Sequence, residues 1–154
     1  MTFRDAVHAT PEIAQHYCEG LQGVKGEHRG KMHKSRQYEY RGSVDLDAAL
    51  QARYPNEPRW DYAIGFGPAA KSDAVAYVEV HSARSTHVDD VIKKKAWLVA
   101  WMRTSAPSLN RLSPREFHWV FTDGTSIRAG TPQRNRLAAE GIWPDKIAKI
   151  GRSL

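Results

Sequence analysis

Two stretches decide the fold: Trp60-Asp61-Tyr62-Ala63-Ile64-Gly65-Phe66 and, after a short polar link, Ala74-Val75-Ala76-Tyr77-Val78-Glu79-Val80-His81. Both are rich in aromatic and branched residues, and the first ends in Gly67-Pro68, as a short strand does. Asp61 then sits near the start of a strand. In the second stretch, alternation of side chains puts Ala76, Val78 and Val80 on one face and Tyr77, Glu79 and His81 on the other. Glu79 and His81 therefore point the same way.

Working outward, Thr86 followed by Asp89 spells a capping box, and Val88, Val91, Ile92, Lys95 or Ala96, Val99 and Met102 trace an apolar stripe. The spacing predicts a helix from about Thr86 to Arg103. A linker of Pro and Ser leads to Phe117-His118-Trp119-Val120-Phe121, read as a strand, with Asp123-Gly124 as a hairpin turn into Thr125-Ser126-Ile127. Thr131-Pro132 opens a short helix that Gly141 ends, and Pro144 restricts the backbone beyond it. Upstream, Thr10 caps a helix with Pro11 at its first position, and Ile13, Tyr17 and Leu21 recur at helical spacing before Gly20 and Gly23 stop it. A second helix starts at Asp45 or Ser43 and carries Leu46, Ala49, Leu50 and Arg53 or Tyr54 until Pro55 and Pro58 break it. This order, with no repeat at any period, predicts an α/β (α+β) layered architecture over residues 1–154 as a single domain.

A chain of 154 residues suits one core, and no apolar run is long enough to span a bilayer. The opening Met1-Thr2-Phe3-Arg4-Asp5 lacks an apolar signal region, and Cys18 has no partner for an internal disulfide, so a reducing cytoplasm is the expected home. Lys and Arg number 23 against 17 Asp and Glu, a formal charge of +6, and the sequence pI is near 9.6. That balance favours a polyanionic partner such as nucleic acid. The densest basic region holds Lys25, Arg29, Lys31, Lys34 and Arg36, diluted by Glu27 and joined by His28 and His33. With Gly23, Gly26 and Gly30, residues 22–42 read as a mobile basic loop able to follow phosphates, or alternatively as a basic face turned to water.

Two carboxylates on neighbouring strands suit a hard divalent cation, because Mg²⁺ prefers oxygen ligands and takes one or two carboxylates plus waters. Asp61 and Glu79 are that pair. His81 would orient or deprotonate an attacking water, or add a nitrogen ligand that tilts preference toward Mn²⁺. The competing reading makes all three ordinary strand-end residues. Gly65-Phe66-Gly67-Pro68-Ala69-Ala70-Lys71-Ser72 nearly spells a phosphate loop, yet Ala70 replaces the second glycine and a strand rather than a helix comes next, which argues against nucleotide hydrolysis. No zinc-finger spacing and no Gly-x-Ser-x-Gly elbow occurs.

The order of a strand with Asp61, a strand with Glu79-x-His81, a helix and a further strand resembles the PD-(D/E)xK nuclease-like (restriction-endonuclease-like) superfamily, over roughly Asp45 to Thr122. The resemblance implies an αβββαβ-like core with a mixed central sheet flanked by helices. It implies metal ligation by Asp61, Glu79 and the peptide carbonyl of Val80, with Mg or Mn as cofactor. An acid from the preceding helix can join them. His81 stands where the motif lysine belongs, and because some members carry that lysine on the following helix, Lys93, Lys94 and Lys95 are substitutes. Asp61, Glu79, His81 and Lys94 are thus the catalytic candidates, and Lys93 joins the basic segment as a nucleic-acid contact. Asp90, Lys94, Trp97 and Trp101 fall close to one line of the helix, a strip suited to stacking and charge contacts or to core packing. Two functions stay open on the sequence: a metal-dependent nuclease acting on DNA or RNA, and a non-catalytic module of the same fold that binds nucleic acid, a protein partner or a second copy.

Overall fold

The structure is a computed structural model that describes residues 1–68, 72–123 and 127–154, apart from the side chain of Ser85. In chain order its helices and strands are α1 (Phe3–His8), α2 (Gly26–Arg29), β1 (Met32–Lys34), β2 (Glu39–Asp45), α3 (Leu46–Leu50), β3 (Tyr62–Gly67), β4 (Ala74–His81), α4 (Val88–Ser105), α5 (Pro107–Arg111), β5 (Arg115–Phe121), α6 (Pro132–Ala139), β6 (Ile142–Asp145) and β7 (Ala148–Ile150). Five strands form one mixed sheet in the order β2-β3-β4-β5-β6. The β2–β3 and β3–β4 contacts are antiparallel, whereas β4–β5 and β5–β6 are parallel. Parallel neighbours need a long crossover, and α4 provides it between β4 and β5. The expected α/β class holds. No helix among the described residues is long and apolar enough to cross a membrane.

Alternation along the strands builds two cores. Ala63, Val75, Tyr77, Phe117 and Trp119 face the helices, meeting Phe3 and Val7 of α1, Leu46 and Leu50 of α3, Val91, Leu98 and Met102 of α4 and Leu137 of α6. The opposite face, with Tyr62, Ile64, Phe66, Ala76 and Val78, is covered by Val24, Met32, Tyr38, Ala148 and Ile150. Its cover is a small parallel sheet of β1 and β7 rather than helices. At one point the helical layer sits almost on the sheet backbone: a Cβ built on Gly65 would lie 2.3 Å from Cγ of Phe3.

Several expectations are corrected. The helix expected from Thr10 is absent; Thr10 instead donates its hydroxyl to the carbonyl of Ala6, closing α1, and only a 3-10 turn forms at Ala14–His16. Cys18 then pairs with Ser43 as a bridge onto β2, which holds this stretch extended. Asp45 does cap α3, accepting from the Ala48 N–H, but the helix ends at Leu50, short of Arg53 and Tyr54. The Thr86 capping box does not form. His87 is the N-cap of α4, preceded by a 3-10 turn at Ser85–His87, and Asp89 pairs with Arg136 at 2.5 Å. Thr131 caps α6 as expected, and Gly141 follows with φ +69°. Pro144 lies in the edge strand β6, where a missing N–H is tolerated. The stretch 22–42 carries α2, β1 and the start of β2. The Gly124-Thr125-Ser126 part of the expected hairpin and the Ala69-Ala70-Lys71 part of the near phosphate loop lie outside the described residues.

Candidate functional site

Register places the two acids together. Tyr62 pairs with Val78 across β3 and β4, so one residue back on β3 and one forward on β4 set Asp61 opposite Glu79. The Asp61 N–H donates to Oε1 of Glu79 at 3.1 Å, and the Val80 N–H donates to Oδ2 of Asp61 at 2.9 Å. Each carboxylate is therefore fixed by the backbone of the other strand. From the helical layer, Lys94 brings Nζ to 2.5 Å from Oε2 of Glu79. Its place on α4 explains why: Lys94 lies three residues after buried Val91 and four before buried Leu98, along the edge that packs on the sheet. Lys93 is exposed, and Lys95 donates to the Glu140 carbonyl and sits 4.7 Å from the Phe117 ring centroid. Of the three lysines, the fold brings Lys94 to the acids.

Glu79 has no exposed surface, and Asp61 is half-buried. Burial, and next the Asp61 charge, push the Glu79 carboxyl up to about 8, against the pull of the Lys94 ammonium. Burial raises Asp61 too, opposed by the Val80 N–H and Lys94. For Lys94 burial acts downward, but the Glu79 charge and hydrogen bond outweigh it and the ammonium is held on the raised side. Two enclosed carboxyls thus share one ammonium, and the cluster is short of positive charge. Among the described residues Oδ1 of Asp61 accepts no hydrogen bond. An all-oxygen set with an unused acceptor fits a hard divalent cation, which Asp61 and Glu79 would hold. The Val80 side chain points into the opposite core, and its peptide N–H is the group that serves Asp61. The preceding helix offers Asp47, whose carboxylate is held by Arg59 at 2.9 Å.

His81 occupies the expected face but no hydrogen bond joins it to Asp61 or Glu79 among the described residues. Its ring lies 4.4 Å from that of His87. Burial, then Lys94 and His87, lower its pKa. Sequence reasoning gave no functional role to His87, and saw Asp90 only as part of the helix strip. The signal available was the spacing of His81, His87 and Asp90, with the latter two one helical turn apart.

The basic segment lies on the other side of the sheet. Val24, Met32 and Tyr38 anchor it to the core face opposite Glu79, while the Lys25 N–H and Nδ1 of His28 meet the Tyr62 hydroxyl at 3.4 and 2.7 Å. Lys25, Lys34 and Arg36 are exposed, and Lys31 is half-buried. Arg29 is spent internally: its guanidinium donates to the carbonyls of Leu21, Gln22 and Val24. The tryptophan strip is likewise packing. Trp101 is buried with Nε1 donating to Glu12, and Trp97 lies between Trp101 and Tyr54. No protein-family model, curated protein or solved structure matches the chain.

Proposed function

We propose that the chain is a divalent-metal-dependent phosphodiester hydrolase acting on DNA or RNA, with Asp61, Glu79 and Lys94 as its central groups. The observation that carries this reading is their convergence from three elements at one end of the sheet, with Asp61 opposite Glu79 and Lys94 at 2.5 Å. The run α3, β3, β4, α4 and β5 supports the resemblance to PD-(D/E)xK nucleases, although α3 interrupts the expected three-strand run between β2 and β3.

Bound Mg²⁺ or Mn²⁺ would supply Lewis-acid polarisation of a phosphoryl oxygen and offset its charge. Asp61 and Glu79 would hold the cation through carboxylates that the backbone of the opposite strand already fixes. Lys94 keeps Glu79 in place and puts a positive charge where negative charge develops on the phosphate. His81 accepts the proton of the attacking water; the new P–O bond forms as the bond to the leaving oxygen breaks, and that oxygen takes a proton from solvent. Exposed Lys93, next to Lys94 on α4, offers charge to the backbone of the substrate, whereas Lys25, Lys31, Lys34 and Arg36 lie across the sheet and would serve only a substrate long enough to pass round its edge.

A binding module without turnover is the second reading, favoured by the complete enclosure of Glu79 under Lys94. A panel of labelled DNA and RNA incubated with Mg²⁺ or Mn²⁺ distinguishes them, comparing the native chain with Asp61→Asn and Glu79→Gln. Metal-dependent cutting lost in both variants is the expected result. Equal cutting by native and variant chains would remove this site, and binding without cutting, weakening steeply with salt, would establish the second reading.

A further inference from the structure

His81, His87 and Asp90 each bring a ligand atom to within 4.8 Å of the other two. They come from two successive elements: His81 ends β4, while His87 is the N-cap of α4 and Asp90 lies in its first turn. The imidazoles are tilted by 58° with centroids 4.4 Å apart. Nδ1 of His87 is engaged by Ser82, with Oγ at 2.7 Å and the carbonyl oxygen at 3.2 Å. A neighbour that occupies one ring nitrogen fixes the orientation of the ring and frees the other nitrogen, as in metal-binding histidines. His87 and Asp90 are three apart, so they lie on one face of the first turn.

We propose that His81, His87 and Asp90 bind one divalent transition ion of the Zn²⁺ class, through an imidazole nitrogen of His81, Nε2 of His87 and a carboxylate oxygen of Asp90. Two nitrogens and one oxygen favour Zn²⁺ or Co²⁺ over Mg²⁺, which prefers oxygen alone. Three protein ligands leave a fourth position for water or an oxygen-donor ligand, the pattern of catalytic rather than structural zinc. Bonds near 2.1 Å hold tetrahedral donors about 3.4 Å apart, so from separations within 4.8 Å no pair has to close by more than about 1.4 Å. Asp90 is exposed and free to swing that far.

The site is a neighbour of the carboxylate pair, not part of it. Two residues along an extended strand separate His81 from Glu79 by about 6.6 Å. Lys94, one turn beyond Asp90, would repel an ion, but Glu79 already pairs its charge. His81 is common to both roles: a ring that ligates the ion cannot also take the water's proton, so an ion bound here would suppress rather than assist hydrolysis at the carboxylate pair.

Titration of the metal-free protein with Zn²⁺, read by calorimetry, and with Co²⁺, read by its visible d–d absorption, tests it. One ion per chain is expected, with four- or five-coordinate Co²⁺ bands. His87→Ala and Asp90→Asn should each weaken binding by at least about tenfold, and Ser82→Ala by about tenfold through loss of the ring's orienting partner. Glu79→Gln, which leaves the Lys94 ammonium unpaired beside the ion, should weaken binding less than either ligand variant does. Because Asp90 is exposed, its variant keeps the core intact, and far-UV circular dichroism checks each variant for folding. Absence of binding, binding indifferent to both ligand variants, or binding abolished by Glu79→Gln would overturn the assignment.

Discussion

Lys94 and Glu79 form an ion pair in which the carboxylate has no exposed side-chain surface while the lysine keeps 22% of its own. The pair is asymmetric: water can still solvate the ammonium, but the carboxylate depends on it. Lys94→Ala should cost about 1–3 kcal/mol in urea unfolding, because the buried Glu79 carboxyl loses its hydrogen-bond partner. The double variant Glu79→Gln, Lys94→Met should cost clearly less than the sum of the two single changes. Additive losses would show that the two side chains do not depend on each other.

Gly65 has no room for a side chain, since Phe3 lies where its Cβ would be. Gly65→Ala should destabilise by about 1–3 kcal/mol, as overpacked cores do. Phe3→Ala removes the Cγ and Cδ2 atoms in the way, so the double variant should cost less than the sum of the two single changes if the clash is the cause. Thermal melts of the two single variants and the double variant give the comparison.

Glu116 ties the C-terminal residues to β5. It accepts from Nε2 of His118 at 2.8 Å, the Gly151 N–H at 3.1 Å, and the Ser153 N–H and hydroxyl at 2.8 and 2.5 Å. Burial acts to raise its pKa, but the His118, Ser153 and Gly151 hydrogen bonds win and hold it below the ordinary 4.5. A carboxylate depressed on folding contributes stability above its unfolded pKa and loses it as pH falls through the folded one. Stability attributable to Glu116 should therefore be full near neutrality and decline below about pH 4.5. Glu116→Gln, which turns an amide N–H toward existing donors, should cost about 1–3 kcal/mol at pH 7 and show a flatter acid limb in melts from pH 7 to 3. An acid limb of unchanged slope would assign the loss to other carboxylates.

Tyr77 carries a cost rather than a contact. Its hydroxyl is buried with no partner among the described residues, while its ring stacks on Phe117 at 5.3 Å. Tyr77→Phe keeps the stack and removes a desolvated polar group, so stability should stay level or rise by about 1 kcal/mol. A fall in denaturant midpoint would reveal a hydrogen bond to that hydroxyl.

Much of the fold was legible in short-range pattern. β4 runs over Ala74–His81 as its alternation predicts, with Glu79 and His81 on the helical face, and α4 follows its apolar stripe to within two residues at either end. β2, with Arg41, Gly42 and Ser43 in its middle, shows no such alternation and becomes a strand by pairing with β3. β1 and β7 are three residues each, too short to carry a period, and depend on each other across the chain. Thr10 misleads because a threonine before proline signals a helix start, while its hydroxyl serves the helix behind it.

By itself the sequence determined the charge, the lone cysteine, the strand that carries Glu79 and His81, and the helix that carries three consecutive lysines, because each depends on composition or on a period of a few residues. Which lysine reaches Glu79, and that His81 turns toward His87 and Asp90, were decided only by the tertiary structure. Both depend on the angle at which α4 packs across the sheet, and that angle is set by Val91, Leu98 and Met102 meeting strand residues distant in the chain.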